Sequence, residues 1–226
     1  MPGPDPEGGA ETGLAAPRLS RAVWAVLGVT LTYLAVALVA SLTGGSGEFL
    51  LYLAVMAVLV VVVALVHLRI GLRIASLGGL SLWGLVHMAG GLMPVPESWP
   101  VRGDSHVLYN LWLVPGLLKF DQAVHAYGFG LLTWVCWQGL QRAFDRLGVT
   151  ARPTLGLLTL CVAAGTGFGA ANEVVEFDAT RVLAETNVGG YVNTGWDLVS
   201  NLVGCLVAAV LIYALHDRSA PASSPE

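Results

Sequence analysis

The sequence predicts an all-α fold, a polytopic membrane bundle of about six transmembrane helices with both termini in the cytoplasm. Hydrophobic residues make up 55% of the 226 residues and charged residues only 12%, which is about half the charged fraction of a soluble domain. Apolar runs of roughly 20 residues recur along the chain, and this is the length that a helix needs to cross the hydrocarbon core. Backbone groups in lipid must be satisfied within their own segment, so these runs are predicted to be helices.

The apolar runs define one membrane domain with a polar tail at each end. The predicted spans lie near residues 20–42, 49–68, 71–93, 120–143, 154–177 and 196–216. We expect residues 1–18 and 219–226 to be disordered cytoplasmic tails, because they are rich in Pro, Gly or Ser and lack apolar periodicity. The membrane domain then occupies residues 19–218.

Basic side chains are distributed unequally between the two sides of this arrangement. One side carries eight arginines: Arg18, Arg21, Arg69, Arg73, Arg142, Arg146, Arg152 and Arg218. The other side carries Arg102, Lys119 and Arg181. The positive-inside rule places the arginine-rich side in the cytoplasm. Longer loops at 94–119 and 178–195 are then on the outside.

The outer loop 94–119 is predicted to lie on the membrane surface. Trp99, Tyr109 and Trp112 flank an apolar run from Val107 to Leu118. Aromatic side chains are enriched where a membrane meets water. The loop therefore resembles an interfacial or re-entrant segment on the outer leaflet.

A run of alternating glycines lies inside the fifth span, at Gly165, Gly167 and Gly169. Such a run binds phosphate when it follows a strand, and here it lies within an apolar helix. We expect these small residues to allow close contact between helices instead.

Ionisable side chains within the spans are the main functional signal. They are His87, Asp121, His125, Glu173, Glu176 and Asp197, and they come from four spans. Three spans carry polar pairs on one helical face, namely Asp121 with His125, Glu173 with Glu176, and Asp197 with Asn201. All lie near the outer ends of their spans, so we expect them to meet in one polar site.

A set of imidazoles and carboxylates of this kind suits a divalent cation. A shared cation keeps several buried carboxylates charged, whereas an uncompensated one becomes neutral. Nitrogen and oxygen ligands together favour Zn²⁺, Mn²⁺ or Fe²⁺ over Mg²⁺ or Ca²⁺. The predicted roles are metal ligands for Asp121, His125, Glu173 and Asp197, general acid or base for Glu176 or His87, and ligand orientation or substrate binding for Asn201 and Asn193. The alternative is that these polar pairs only hold the helices together.

Short motifs around these residues resemble a known family. They are HMAGG at 87–91, FDQAVHAYG at 120–128, EVVE at 173–176 and TGWDLVSNLVG at 194–204. Together they resemble the YjdF-like family of bacterial inner-membrane proteins, over roughly residues 80–210. The Asp…His and Asp-x-x-x-Asn-x-x-Gly patterns are also similar to the VanZ-like group. The YjdF-like pattern carries a further Asp four residues before Asp197, where this chain has Asn193.

The resemblance implies a multi-span helical protein of the bacterial plasma membrane without a settled activity. VanZ-like proteins are linked in general terms with tolerance to glycopeptide antibiotics. It therefore adds an envelope or antibiotic-tolerance role to the functions under consideration.

Three functions fit these observations. The first is a metal-dependent hydrolase or transferase of a lipid or lipid-linked substrate. The second is a small proton- or cation-coupled transporter, and the third is a non-catalytic envelope or antibiotic-tolerance factor. The inner halves of the spans are nearly pure Leu, Val, Ala and Gly, with Gln138 the main exception, which favours the enzyme over the transporter. Membrane lipids are the expected partners, and no basic patch suggests nucleic acid.

Overall fold

A computed structural model describes residues 19–45, 47–183, 186 and 189–219. Its long helices are α1 (Arg21–Gly44), α2 (Gly47–Ile70), α3 (Ile74–Leu92), α4 (Phe120–Arg146), α5 (Leu155–Val182) and α6 (Tyr191–Ser219). The prediction of an all-α bundle is confirmed. The predicted disordered tails lie outside the described residues, except for Ser219, which ends α6.

Helices α1, α2, α3, α5 and α6 are each long and apolar enough to cross a membrane. The most apolar is α2, with a mean hydropathy of 3.2 over its best window, of which only 6% is buried inside the protein. An apolar helix that exposes most of its surface is suited to lipid rather than water. These helices establish the chain as a polytopic membrane protein.

Helix α4 was predicted as a span like the others, yet it is less apolar than the five helices named above. It packs against α3, α5 and α6 and so lies at the centre of the bundle. Its buried positions include Asp121, Gln122, His125, Thr133 and Gln138. A helix enclosed by other helices does not need an apolar surface towards lipid, and its polar residues face protein instead.

The predicted outer loop 178–195 is wrong at both ends. Helix α5 continues to Val182, and α6 already begins at Tyr191. The first turn of α6 is closed by the backbone N–H of Asn193, which donates to the Gly190 carbonyl at 2.7 Å. Polar residues in these turns interrupt the apolar run without interrupting the helix. As a result, Asn193, Asp197 and Asn201 follow one another at intervals of four residues on α6.

The segment between α3 and α4 folds as a small antiparallel hairpin. It contains a 3₁₀ turn (Leu108–Asn110) and the strands β1 (Trp112–Val114) and β2 (Leu118–Lys119). Pro115 and Gly116 form its tip, where Gly116 has a φ of 73°, as the third position of a type II turn requires. Leu117 beside the tip is 70% exposed. The location of this segment on the outer leaflet stays a prediction.

Glycines bring α4, α5 and α6 unusually close. A Cβ on Gly204 would overlap the carbonyl group of Ala126, and one on Gly130 would lie 2.8 Å from the Gly204 carbonyl oxygen. On α5, Gly169 faces the side chain of Asn201 in the same way. The close approach at Gly130, Gly169 and Gly204 is typical of small residues in membrane helices. Gly167 has open space around it, so the predicted close contact fails at that position.

Candidate functional site

The start of α4 positions the first site residues. Lys119 precedes the helix, and its backbone N–H donates to Gln122 Oε1 at 2.8 Å, which satisfies a backbone donor that a helix start leaves open. Asp121 then lies in the first turn, and His125 follows one turn later on the same face. The close contact between α4 and α6 brings this face against Asn201.

The ring of His125 lies at the centre of the site and is only 2% exposed. Its Nε2 atom is 3.5 Å from Asp121 Oδ1. Its Nδ1 atom is 3.0 Å from Asn201 Oδ1 and 3.6 Å from Glu173 Oε1. One imidazole therefore joins α4, α5 and α6.

Asn193 connects the acids on the Nε2 side. Its Nδ2 atom donates to Asp197 Oδ2 at 2.5 Å and lies 3.5 Å from Asp121 Oδ2. Its Oδ1 atom accepts a hydrogen bond from the ammonium group of Lys119. The same ammonium group is 3.3 Å from Asp121 Oδ2. Asn193 thus holds one oxygen of each of the two aspartates in place.

Several buried polar atoms of the site have no hydrogen-bond partner among the described residues. They are Glu173 Oε1, Glu173 Oε2, Asp197 Oδ1 and Asn201 Nδ2. The exposed fraction is 8% for Glu173 and 1% for Asp197. A buried carboxylate without a partner is costly unless it takes up a proton or a cation.

The predicted metal ligands come together, but as two sets rather than one. Ligand atoms of Asp121, His125 and Asp197 lie within 4.8 Å of one another, and so do those of His125, Glu173 and Glu176. His125 belongs to both sets. Glu173, predicted to share an ion with the two aspartates, is instead grouped with Glu176, which was predicted as an acid or base.

His87 lies at the edge of the site, beside a cavity of about 60 Å³ that Asp121 and Glu176 also line. Its ring contacts the ring of Tyr109, with centroids 5.5 Å apart. It belongs to neither candidate ligand set within the described part of the chain. The structure therefore places His87 near the acids, as predicted, but at the cavity wall.

Tyr109 attaches the hairpin to the site. Its hydroxyl donates to the backbone carbonyl of His87 at 2.6 Å. Burial raises the pKa of Tyr109 well above its usual range, and the nearby carboxylates of Asp121 and Glu176 raise it further. The hydroxyl therefore stays protonated and remains a donor. The hairpin lines the cavity with Tyr109 and Asn110.

Sequence reasoning missed two buried charged residues. Lys119 was counted only as an outer basic residue, yet it is 2% exposed and pairs with Asp121. Glu48, in the first turn of α2, is 6% exposed and accepts a hydrogen bond from the Tyr52 hydroxyl at 3.3 Å. The available signals were the position of Lys119 two residues before Asp121, and the i,i+4 spacing of Glu48 and Tyr52 in an apolar span.

The half of α4, α5 and α6 that lies away from the site is closed by apolar packing. Its buried cluster consists of Trp137, Ala151, Leu158, Cys161, Ala209 and Ile212. Gln138, the polar exception in the sequence, donates to Ser76 Oγ at 2.6 Å and accepts from the Arg73 backbone N–H at 3.0 Å. Both polar ends of Gln138 are therefore used in helix packing. The polar site ends above this cluster.

Comparison with known proteins gives a family without a described activity. Neither a curated protein nor a solved structure matches the chain. A family model described as "Predicted membrane protein (DUF2238)" matches residues 23–218, which include nearly all of α1 to α6. YjdF-like proteins are part of that family, in agreement with the resemblance of the motifs. The chain therefore belongs to the DUF2238 family of membrane proteins.

Proposed function

We propose that this protein is a divalent-cation-dependent hydrolase or transferase, acting on a lipid or lipid-linked substrate at the outer face of the bacterial plasma membrane. The observation that carries the proposal is the enclosure of His125 by buried carboxylates, of which Glu173 and Asp197 have oxygens without hydrogen-bond partners. Buried acids of this kind in a membrane protein are functional more often than structural.

The best place for the ion is between Asp121, His125 and Asp197. The second polar atom of each is already held: Asp121 Oδ2 by Lys119, His125 Nδ1 by Asn201 and Asp197 Oδ2 by Asn193. Metal-binding side chains are commonly oriented in this way by hydrogen bonds to their other atoms. Mixed nitrogen and oxygen ligands favour Zn²⁺, Mn²⁺ or Fe²⁺.

The chemistry follows from the neighbours of this position. A divalent cation activates a bound water or polarises a phosphoryl or carbonyl oxygen. Glu176 lines the cavity together with Asp121 and His87, so either Glu176 or His87 is placed to transfer a proton to a substrate there.

The apolar packing below the site favours an enzyme over a transporter. A transport path would need polar groups across the full depth of the bundle. Here α4, α5 and α6 close below the site around Trp137 and Leu158.

The proposal is tested with purified protein in liposomes made from a total bacterial polar-lipid extract. Lipids are analysed by mass spectrometry after incubation with Mn²⁺, or with a chelator. We expect a lipid product that requires Mn²⁺ and is lost in the His125→Ala variant. A folded protein that binds Mn²⁺ but changes no lipid would contradict the proposed enzymatic activity. Uptake driven by a pH gradient and abolished by Asp197→Asn would show a transporter instead.

A further inference from the structure

We infer that the site holds two cations, the second lying with Glu173 and Glu176 on the Nδ1 side of the His125 ring. This inference rests on the proposed function and adds a second binding position to it. The two positions are called here the aspartate position (Asp121, His125 and Asp197) and the glutamate position (Glu173 and Glu176).

The geometry of the imidazole separates the two positions. Nε2 faces Asp121 at 3.5 Å, and Nδ1 faces Glu173 at 3.6 Å. The two ring nitrogens point in different directions within one rigid plane, so a cation on Nε2 does not contact the carboxylates on the Nδ1 side. Oxygens of Glu173 and Glu176 lie within 4.8 Å of one another, the spacing around a single ion.

An independent observation marks the glutamate position as incomplete. Glu173 is more than nine-tenths buried, yet neither of its oxygens has a hydrogen-bond partner in the described part of the chain. The nearby Nδ1 atom of His125 is already engaged by Asn201 Oδ1 at 3.0 Å. An ion in the aspartate position does not relieve this, because it lies on the other side of the ring.

The balance of charge also calls for a second cation. The site contains four carboxylates, those of Asp121, Glu173, Glu176 and Asp197, and the ammonium group of Lys119 lies 3.3 Å from Asp121 Oδ2. With Lys119, one divalent cation still leaves one negative charge of these four without compensation. A second divalent cation beside the glutamates removes this excess. Buried charges are stable when they are paired.

The chemistry of the two positions differs. Because Asn201 engages Nδ1, the glutamate position depends mainly on carboxylate oxygens, which suit hard cations such as Mg²⁺ or Mn²⁺. The aspartate position has a nitrogen ligand, which suits Zn²⁺, Mn²⁺ or Fe²⁺. Mn²⁺ is acceptable to both, so it is the appropriate probe for counting them.

The test counts Mn²⁺ bound to the full-length protein in detergent by equilibrium dialysis. We expect two equivalents in the wild type, and one in each of the variants Glu176→Gln and Asp197→Asn. Glu97→Gln, which neutralises an exposed acid of the hairpin, should keep both. Electron paramagnetic resonance of the wild type should show the line broadening of two neighbouring Mn²⁺ ions. This spectrum does not depend on whether the variants fold.

The outcomes separate this inference from the proposed function. One equivalent that is lost in Asp197→Asn and kept in Glu176→Gln, with an unbroadened spectrum, would overturn the glutamate position and leave the aspartate position intact. No bound Mn²⁺ in a folded wild type would overturn both.

Discussion

At the scale of single residues, the orientation of one imidazole decides which atoms are available to a ligand. Asn201 Oδ1 is an acceptor, so the His125 Nδ1 atom at 3.0 Å donates to it. The neutral ring then has its lone pair on Nε2, which faces Asp121 Oδ1 at 3.5 Å. A lone pair opposite a carboxylate oxygen is unfavourable unless a cation or a proton lies between them. Asn201 therefore leaves the Nε2 lone pair of His125 available to a proton or a cation.

Replacing Asn201 should weaken cation binding. We expect Asn201→Ala to lower the affinity for Zn²⁺ about 10- to 100-fold, because the ring loses the group that fixes its orientation. Titration calorimetry in detergent measures the change. Ser200→Ala is the matched control, since Ser200 precedes Asn201 on α6 and its hydroxyl donates to the Trp196 carbonyl at 2.8 Å. Equal affinities in wild type and Asn201→Ala would argue against an orienting role.

Replacing Lys119 should destabilise the folded protein, because Lys119 forms a buried ion pair with Asp121. Removing one partner of a buried ion pair costs about 3–5 kcal/mol, so Lys119→Met should unfold at a clearly lower temperature in the presence of a chelator. Added Mn²⁺ should restore part of the loss, because it compensates the same carboxylates. Arg102→Met, at an exposed position of the hairpin, should change little. Equally small effects of both substitutions would mean that Lys119 does not compensate the charge of the buried carboxylates.

At the scale of helices, the site depends on how closely α4 and α6 approach. Gly204 and Gly130 allow backbone contact between them, and Gly169 makes room for Asn201. The contacts at Gly130 and Ala126 lie within two turns of His125 on α4. The contact at Gly169 is with Asn201, which binds the His125 ring. The position of the imidazole relative to Asn201 therefore depends on residues that have no polar side chain.

Substitution of these glycines should separate packing from helix propensity. Gly204→Ala would place a methyl group on the Ala126 carbonyl, and overpacking of this kind costs about 1–3 kcal/mol. Gly167→Ala, which meets open space, should be neutral or gain up to about 1 kcal/mol from helix propensity. Thermal unfolding in detergent compares the two. A similar loss in both variants would count against the close contact of α4 and α6.

The hairpin should be held partly by one tyrosine. Tyr109→Phe removes the hydrogen bond to the His87 carbonyl and should cost about 1 kcal/mol. Tyr127→Phe is the control, since its bond to the Gly79 carbonyl at 3.1 Å is exposed and should contribute less. A Tyr109→Phe variant no less stable than Tyr127→Phe would contradict this role.

The same bond has a defined pH dependence. Burial raises the pKa of Tyr109, so its contribution should be complete below about pH 10, the ordinary tyrosine value. Above that pH, tyrosine ionises in the unfolded chain but not in the folded one, so the wild type should lose stability relative to Tyr109→Phe. Unfolding of both proteins at neutral and alkaline pH measures this difference. A wild type that gains relative stability with rising pH would contradict the sign.

The elements show what the sequence can predict and why. Helical spacing is local, so the pairs Asp121 with His125 and Asp197 with Asn201 could be assigned to faces from the sequence alone. The true start of α6 could not, because polar residues before Trp196 look like a loop when apolar content is the criterion. Lys119 and Glu48 were missed because their burial depends on contacts between distant segments.

At the scale of the whole molecule, polar and apolar parts of the bundle are separated by depth. The acids, His125 and the hairpin occupy one end of α4, α5 and α6, and the apolar cluster around Trp137 occupies the other. Helix α4 carries both, which explains why it is the least membrane-like of the long helices described. This arrangement places the site at one end of the three helices. Which ion or substrate it takes depends on affinities that no local sequence pattern encodes.

The central claim is that the buried acids and His125 bind a divalent cation, and metal content tests it most directly. Protein purified after exposure to Zn²⁺ and Mn²⁺, then freed of loose ions by gel filtration, is analysed by inductively coupled plasma mass spectrometry. The wild type should retain at least about one ion per chain, and the double variant His125→Ala, Glu173→Ala almost none. Equal, near-zero metal in both folded proteins would contradict the claim.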